Sequence, residues 1–313
     1  VAIASIAFRD SNLQKLYTEN ASNLEYIGEG AFADTYISNI DFSDMPSLAV
    51  IEDDAFADSN LGGTLDFSSL KELQYIGDDA FTYNAIDSVN ITGLENLEYI
   101  GEDAFSDNTL NGNINIENNS NLVYIGNDAF GDSYSTVSLL NISNNPKLES
   151  IDAYAFGYTY IKDLKILNNP SLEYIRTGAF YSSSIQNIDF TGSNAIKHIG
   201  EDAFSRNRLK SFDFSQFQNL EYIGGFAFAH NSLTSVELNN LSLLAEIGSY
   251  AFENNKIQEL TISNLTNIST IGLNAFYNNS ISSLTLSNLP SLTELSDSLF
   301  ARNNLETLKV STI

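Results

Sequence analysis

Ile281-Ser-Ser-Leu284-Thr-Leu286-Ser-Asn-Leu-Pro290-Ser-Leu292-Thr-Glu-Leu295-Ser-Asp-Ser-Leu299-Phe300 is one copy of a phrase that recurs from the first residues of the chain onward. Its closing phenylalanine has counterparts at Phe8, Phe32, Phe56, Phe81, Phe105, Phe130, Phe156, Phe180, Phe204, Phe228, Phe252 and Phe276. The steps between them are 24, 24, 25, 24, 25, 26 and then 24 six times. Self-similarity at a fixed short period signals a solenoid, in which each unit packs only on its neighbours. The 313 residues therefore read as one stack of about 13 units of 24–26 residues, spanning 1–313 and cut inside a repeat at both ends.

Within each unit, Leu284-Thr-Leu286 alternates apolar and polar, the pattern of a short strand with one buried face. Ile40-Asp-Phe42, Val89-Asn-Ile91, Leu164-Lys-Ile166, Ile188-Asp-Phe190 and Val236-Glu-Leu238 repeat it. A turn rich in Asn, Ser and Gly follows, as in Asn144-Asn-Pro146 and Asn169-Pro170. The unit then returns through Leu-x-x-Ile (Leu97-Glu-Tyr-Ile100, Leu220-Glu-Tyr-Ile223) into Gly-x-x-Ala-Phe. The expected fold is an α/β-type solenoid: a curved stack with one concave parallel sheet, and the Ala-Phe pair in a short helical or 3₁₀ turn on the outer side. Phe32, Phe56, Phe81, Phe105, Phe130, Phe156, Phe180, Phe204, Phe228, Phe252, Phe276 and Phe300 are expected to fill the gaps between layers. Three residues after these rings stand Asn84, Asn108, Asn207, Asn231, Asn255, Asn279 and Asn303, with Ser or Thr in the other units. They read as an interior ladder bonded to turn backbone, because a buried polar group has to be paired.

Composition narrows the function. The chain is 43% hydrophobic and 17% charged, which is apolar enough to fold. Forty acids against 14 bases leave a net charge of -26. Such a field repels nucleic acid and anionic membranes, and it favours cationic partners. With no cysteine, thiolate metal sites, disulfides and thiol nucleophiles are excluded. No run of 18 apolar residues is present to span a membrane. The two histidines, His198 and His230, fall in different units without a repeated partner, and no phosphate loop or paired metal motif occurs. Repeating acids supply no singular carboxylate pair of the kind hydrolysis requires. The chain reads as non-enzymatic and without a cofactor.

Ile76-Gly-Asp-Asp-Ala-Phe81 with Asn84, Ile100-Gly-Glu-Asp-Ala-Phe105 with Asn108, and Ile199-Gly-Glu-Asp-Ala-Phe204 with Asn207 resemble the BspA-like class of leucine-rich repeats, the Treponema pallidum type. The resemblance covers nearly the whole chain. It implies a curved solenoid, no catalytic residues, and a place at the cell surface or outside the cell, where several relatives are adhesins. Two departures stand out: Asn, Ser or Thr replaces a frequent Cys, and the link from strand to Leu-x-x-Ile is longer than usual.

Three surface columns are candidates for contact. The outward strand positions Asp41, Asp66, Asn90, Asn115, Asn141, Lys165, Asp189, Asp213 and Glu237, flanked by Asp163, Asn187 and Glu259, make an acidic, amide-rich face. That face is the candidate binding surface for an extracellular or host protein with a basic patch. Tyr26, Tyr75, Tyr99, Tyr124, Tyr174 and Tyr222 form a second column, either a contact stripe or a shield between units. The third is the acid pairs Asp53-Asp54, Asp78-Asp79, Glu102-Asp103 and Glu201-Asp202, expected at the start of a helical turn, where N–H groups are free. Adhesion or protein binding through the strand face is the leading reading. A passive spacer or stalk and a glycan-recognition module are the alternatives.

Overall fold

The computed structural model describes residues 1–312. It is a parallel all-β solenoid in which each coil hydrogen-bonds to the coils before and after it. Twelve two-residue strands make one sheet, running from Ala2–Ile3 through Tyr26–Ile27, Tyr75–Ile76, Tyr99–Ile100 and Tyr222–Ile223 to Thr270–Ile271. These are the Leu-x-x-Ile returns, paired in register: Tyr75 on Tyr99 on Tyr124.

The longer strands carry the alternating triplets. Gly62–Asp66, Ala85–Thr92, Asn113–Glu117, Thr136–Ser143, Tyr160–Leu167 and Ile188–Asp189 form a six-stranded parallel sheet. Ser235–Asn239, Glu259–Ser263, Ser283–Ser287 and Thr307–Ser311 form a four-stranded one further along the same column of the repeat. The coil between them has no strand there. It carries Phe212 and Phe217 where neighbouring coils hold smaller side chains, in addition to Phe214, and the rings crowd: Phe212 lies 4.7 Å from both Phe214 and Phe228. The backbone tightens instead into a three-residue 3₁₀ helix, Phe214–Gln216, capped by the Asp213 carboxylate accepting from the Ser215 N–H.

This corrects the expected fold class. The solenoid has three sheets and almost no helix, not a single concave sheet backed by helical turns. The one 3₁₀ helix among the described residues interrupts the long-strand column rather than lying on the Ala-Phe side. The reason lies in where the backbone donors go. Along Asp79-Ala-Phe81-Thr-Tyr83, alternate N–H groups reach the next coil: Asp79 to Glu102 O (2.8 Å), Phe81 to Ala104 O (2.8 Å) and Tyr83 to Ser106 O (3.3 Å). The intervening Thr82 N–H closes a turn on Asp79 O. A helix would bond those donors within its own coil and leave the neighbour unsatisfied. Turning without a helix requires left-handed residues. The second acid of each pair adopts them, at Asp54, Asp79, Asp103 and Asp202, as does Asp128 after Asn127 (φ 48–56°), because Asp tolerates that region better than most side chains. The glycine of the same phrase answers to close approach: a Cβ on Gly101 would sit 2.4 Å from the backbone of Gly77 in the preceding coil.

Inside, thirteen phenylalanine rings from Phe8 to Phe300 form one continuous stack. Successive centroids are 4.9–5.7 Å apart and the planes are within 18° of parallel. Leu and Ile from both strand columns close around it, and nearly all are fully buried.

Truncating one ring removes contacts on both sides of its coil. Phe156→Ala is expected to destabilise the protein by about 3–5 kcal/mol, and Phe156→Leu by markedly less. Urea unfolding of the two variants beside the parent measures both.

Candidate functional site

The interior polar column is built from the phenylalanine turn. Asn84 Nδ2 donates to the carbonyls of Phe56 in the preceding coil (2.8 Å) and of Phe81 and Thr82 in its own (3.1 and 3.0 Å). Its Oδ1 accepts from the N–H groups of Ser59 and Leu61 (3.1 and 2.8 Å). Asn108, Asn207, Asn231, Asn255, Asn279 and Asn303 repeat the pattern, each reaching the phenylalanine carbonyl one coil back at 2.7–2.9 Å. Where Ser59, Thr159 or Ser183 stands instead, the hydroxyl donates to that carbonyl (2.6–2.7 Å), but no second arm accepts from the earlier coil.

A second ladder went unread in the sequence. Asn119, Asn145 and Asn169 are fully buried at the turn after the long strands. Their Nδ2 groups donate to Ile91, Ile116 and Ile142 carbonyls (2.9–3.0 Å). Each Oδ1 accepts an N–H from the coil before: Leu94 to Asn119, Asn119 to Asn145, Asn145 to Asn169. Their spacings of 26 and 24 match the phenylalanine steps of those coils, which is the signal that could have found them.

The strand-face residues fall into two groups. Asp66, Asn90, Asn115, Asn141, Lys165 and Asp189 are register partners in one unbroken row across the six-stranded sheet. Glu237 opens a second row over Thr261, Thr285 and Lys309. Beside the first row, Asp163 pairs with Leu139; beside the second, Glu259 pairs with Ser235. Asn187 lies just before its strand, and Asp41 and Asp213 sit in coils with no strand at that point. Asp41, Asp66, Asp163, Lys165, Asn187, Asp189, Asp213, Glu237 and Glu259 are exposed; the three asparagines are half-buried.

Four of these aspartates also do local work. Asp41, Asp66, Asp189 and Asp213 each accept at 2.9 Å from the N–H two residues on, at Ser43, Ser68, Thr191 and Ser215. All four stand in Asp-Phe-Ser/Thr, and in each such coil the strand ends at the aspartate or is absent, since the side chain offers the backbone a turn in place of the ladder. The eight-residue strands carry Asn90, Asn141 and Lys165 instead. The bonds from Ser43 and from Thr191 hold the Asp41 and Asp189 carboxyls below the usual range. At Asp66, partial burial pulls upward, but bonds from Ser68 and Asn90 and the charge of Lys71 outweigh it.

The acid pairs do not open helices. The first member ties coils together: Asp53 Oδ1 accepts from the Asp78 N–H (2.9 Å) and the Tyr75 hydroxyl (3.1 Å), and Asp78 Oδ1 from the Glu102 N–H (2.8 Å). The second members stack at the left-handed corner. Burial, then the carboxylates around it beginning with Asp103, pushes Asp79 up to about 6, and the same causes push Asp128 up to about 6. Among the described residues, no group of three or more His, Asp or Glu is placed to hold a metal ion, and no helix is long and apolar enough to cross a membrane.

In the tyrosine column, Tyr75 and Tyr99 stack at 5.6 Å, and His198 takes a tyrosine's place between Tyr174 and Tyr222 at 5.3 and 5.8 Å. His230 is exposed at a left-handed corner.

The family profile described as "BspA type Leucine rich repeat region (6 copies)" matches residues 1–135, 74–210, 124–243 and 197–313. No curated protein matches the chain significantly. Among solved structures, a leucine-rich repeat protein from Bacteroides ovatus is similar at 18% identity and a TM-score of 0.48, over 99% of this chain and 64% of that one. The functional domain of InlJ from Listeria monocytogenes is similar at 15% and 0.28, over 90% and 60%. The plant peptide hormone receptor RGFR1, in complex with RGF2, is similar at 17% and 0.31, over 93% and 53%. The chain spans less than two thirds of each of these.

Two measurements follow from the ladder and the acids. Asn207→Ala strands the Phe180 carbonyl and the Ile185 N–H, which Asn207 bonds at 2.7 and 2.9 Å, so a loss of at least about 2 kcal/mol is expected in urea unfolding; Asn207→Ser, which keeps one arm, is expected to lose less. The second concerns pH. Asp79 and Asp128 bind protons more tightly folded than unfolded, so stability rises as pH falls from neutral through about 6. Asp41, Asp66 and Asp189 act oppositely, and their contribution is lost only as pH falls below the ordinary carboxylate range. Thermal unfolding across pH should show a maximum on the acid side of neutrality, flattened by Asp79→Asn with Asp128→Asn; a steady decline from neutral pH downward would contradict it.

Proposed function

The chain belongs to the BspA-type leucine-rich repeat family, and on that footing we propose that it is a non-catalytic protein-binding module of a cell-surface or secreted protein, engaging its partner through the long-strand face. One observation carries the reading: outward side chains from six coils, Asp66 to Asp189, line up in a single register row. A rigid row with side chains at strand spacing, about 4.8 Å apart, is preorganised, so little ordering entropy opposes binding. The field of a chain of net charge -26, to which Asp66, Asp189 and the flanking acids add at this face, favours a partner with a basic patch and steers its approach.

Beyond the end of that row, Asp213 and Glu237 occupy the same position of the repeat, and these with Asp189 are the residues assigned the largest electrostatic share. Asparagine retains the oxygen that accepts the turn N–H, so Asp189→Asn, Asp213→Asn and Glu237→Gln remove charge without removing the turns. The immobilised chain is expected to capture a saturable, salt-sensitive partner from extracellular and matrix proteins. The triple variant should bind that partner about tenfold more weakly, at a few tenths to one kcal/mol per exposed charge, with unfolding still cooperative and only slightly shifted by the loss of the Asp189 charge. Unaltered affinity would remove the strand face from the reading.

A further inference from the structure

The charge of this chain is unevenly placed. Residues 147–210 hold eight basic and seven acidic side chains, a net of +1, while the rest of the chain holds six basic and 33 acidic, a net of -27. Within that segment a groove of about 530 Å³ opens on the surface where the Ala-Phe turns lead into the long strands.

Its walls come from four successive coils. Thr136 comes from the first; Tyr160 and Lys162 open the strand Tyr160–Leu167 in the second; the third contributes Ser182, Ser184 and Gln186, and the fourth Arg208. Backbone bonds fix the order, Ile161 N–H to Ser183 O (2.8 Å) and Arg208 N–H to Ile185 O (2.9 Å). Lys162 and Arg208 therefore stand two coils apart, about 10 Å, and the small side chains of the middle coil leave the depression between them. Both cations are exposed. Neither belongs to an ion pair among the described residues, where the paired bases are Arg9, Arg176, Lys197 and His198. The Tyr160 ring, 38% exposed, borders the same groove.

An aromatic ring, hydroxyl and amide groups, and two uncommitted cations across a sugar-sized gap specify a ligand. The ring offers a flat apolar surface for the C–H face of a pyranose. Arg208 presents the fork that matches a carboxylate. Ser182, Ser184 and Gln186 supply donors and acceptors for ring hydroxyls. Asp163, exposed beside Lys162, and the negative remainder of the chain oppose a broad polyanion such as nucleic acid or an acidic protein surface. A single carboxylate on an otherwise neutral body escapes that repulsion. We propose that the groove between Tyr160, Lys162 and Arg208 is a saccharide subsite for a hexuronate unit in an otherwise neutral glycan. The assignment is independent of the long-strand face and its protein partner.

The test is calorimetric and NMR titration of the whole chain with cellobiouronic acid, against cellobiose as the neutral counterpart. Saturable binding of the uronate is expected, at least about tenfold tighter than cellobiose, and weakened as NaCl is raised from about 20 to about 300 mM. Arg208→Gln should weaken it about tenfold or more, and Lys162→Gln and Tyr160→Ala several-fold. All three sites are exposed, so unfolding curves should overlay the parent. The Asp189→Asn, Asp213→Asn, Glu237→Gln variant should bind the uronate as the parent does, which separates this site from the strand face. Equal affinity for cellobiose, no saturable binding, full affinity in Arg208→Gln, or equal competition by hexaglutamate would each overturn the proposal.

Discussion

The separation of successive phenylalanine rings, 4.9–5.7 Å, is close to the roughly 4.8 Å between hydrogen-bonded strands. That near-equality is the constraint on which the rest of the molecule depends. Because the two distances agree, one coil satisfies its backbone donors and packs its ring on the next coil in a single translation. A longer period is absorbed only at the surface. The 26-residue step from Phe130 to Phe156 leaves their rings 5.2 Å apart, so its extra residues lie in the outer corner and not in the stack.

Packing alone would leave the inner turns with orphaned carbonyls and N–H groups. The asparagine ladders resolve this, since an amide both donates and accepts and so reaches two coils at once. Serine and threonine occupy the same positions with fewer arms, which makes the stack unevenly tied along its length. The second ladder, Asn119 to Asn145 to Asn169, ends on a hydroxyl, where Ser193 Oγ accepts from the Asn169 N–H at 2.9 Å.

The acids illustrate how one composition serves different physical ends. Some occupy left-handed corners, where their short side chains fit and burial raises their proton affinity. Others, in Asp-Phe-Ser/Thr, end strands by accepting a turn N–H. Those on the long-strand rows face solvent without being enclosed. Counted as a single net charge they suggest one function, but placed in the fold they separate by the backbone conformation each accompanies. The same placement exposes the nearly neutral segment in the middle of the chain, which the overall charge conceals.

The period, the alternation in each strand and the phenylalanine positions are local or strictly repeating properties, and they are legible in the sequence. So is the family phrase around Ile76 and Phe81. The conformation of Gly-x-x-Ala-Phe was not legible, because five such residues suit a helical turn and a row of left-handed corners equally well. The choice is made by the neighbouring coil, whose carbonyls claim the N–H groups a helix would use. Likewise, the turn bonds that Asp41, Asp66, Asp189 and Asp213 accept from the N–H two residues on depend on where each strand ends, which the alternation of side chains does not show. What the sequence determined by itself is the repeat and the order of its side chains. Which sheets form, where they break, and which polar groups remain free for a ligand were decided by hydrogen bonds between coils some 24 residues apart, a partnership that no single repeat contains.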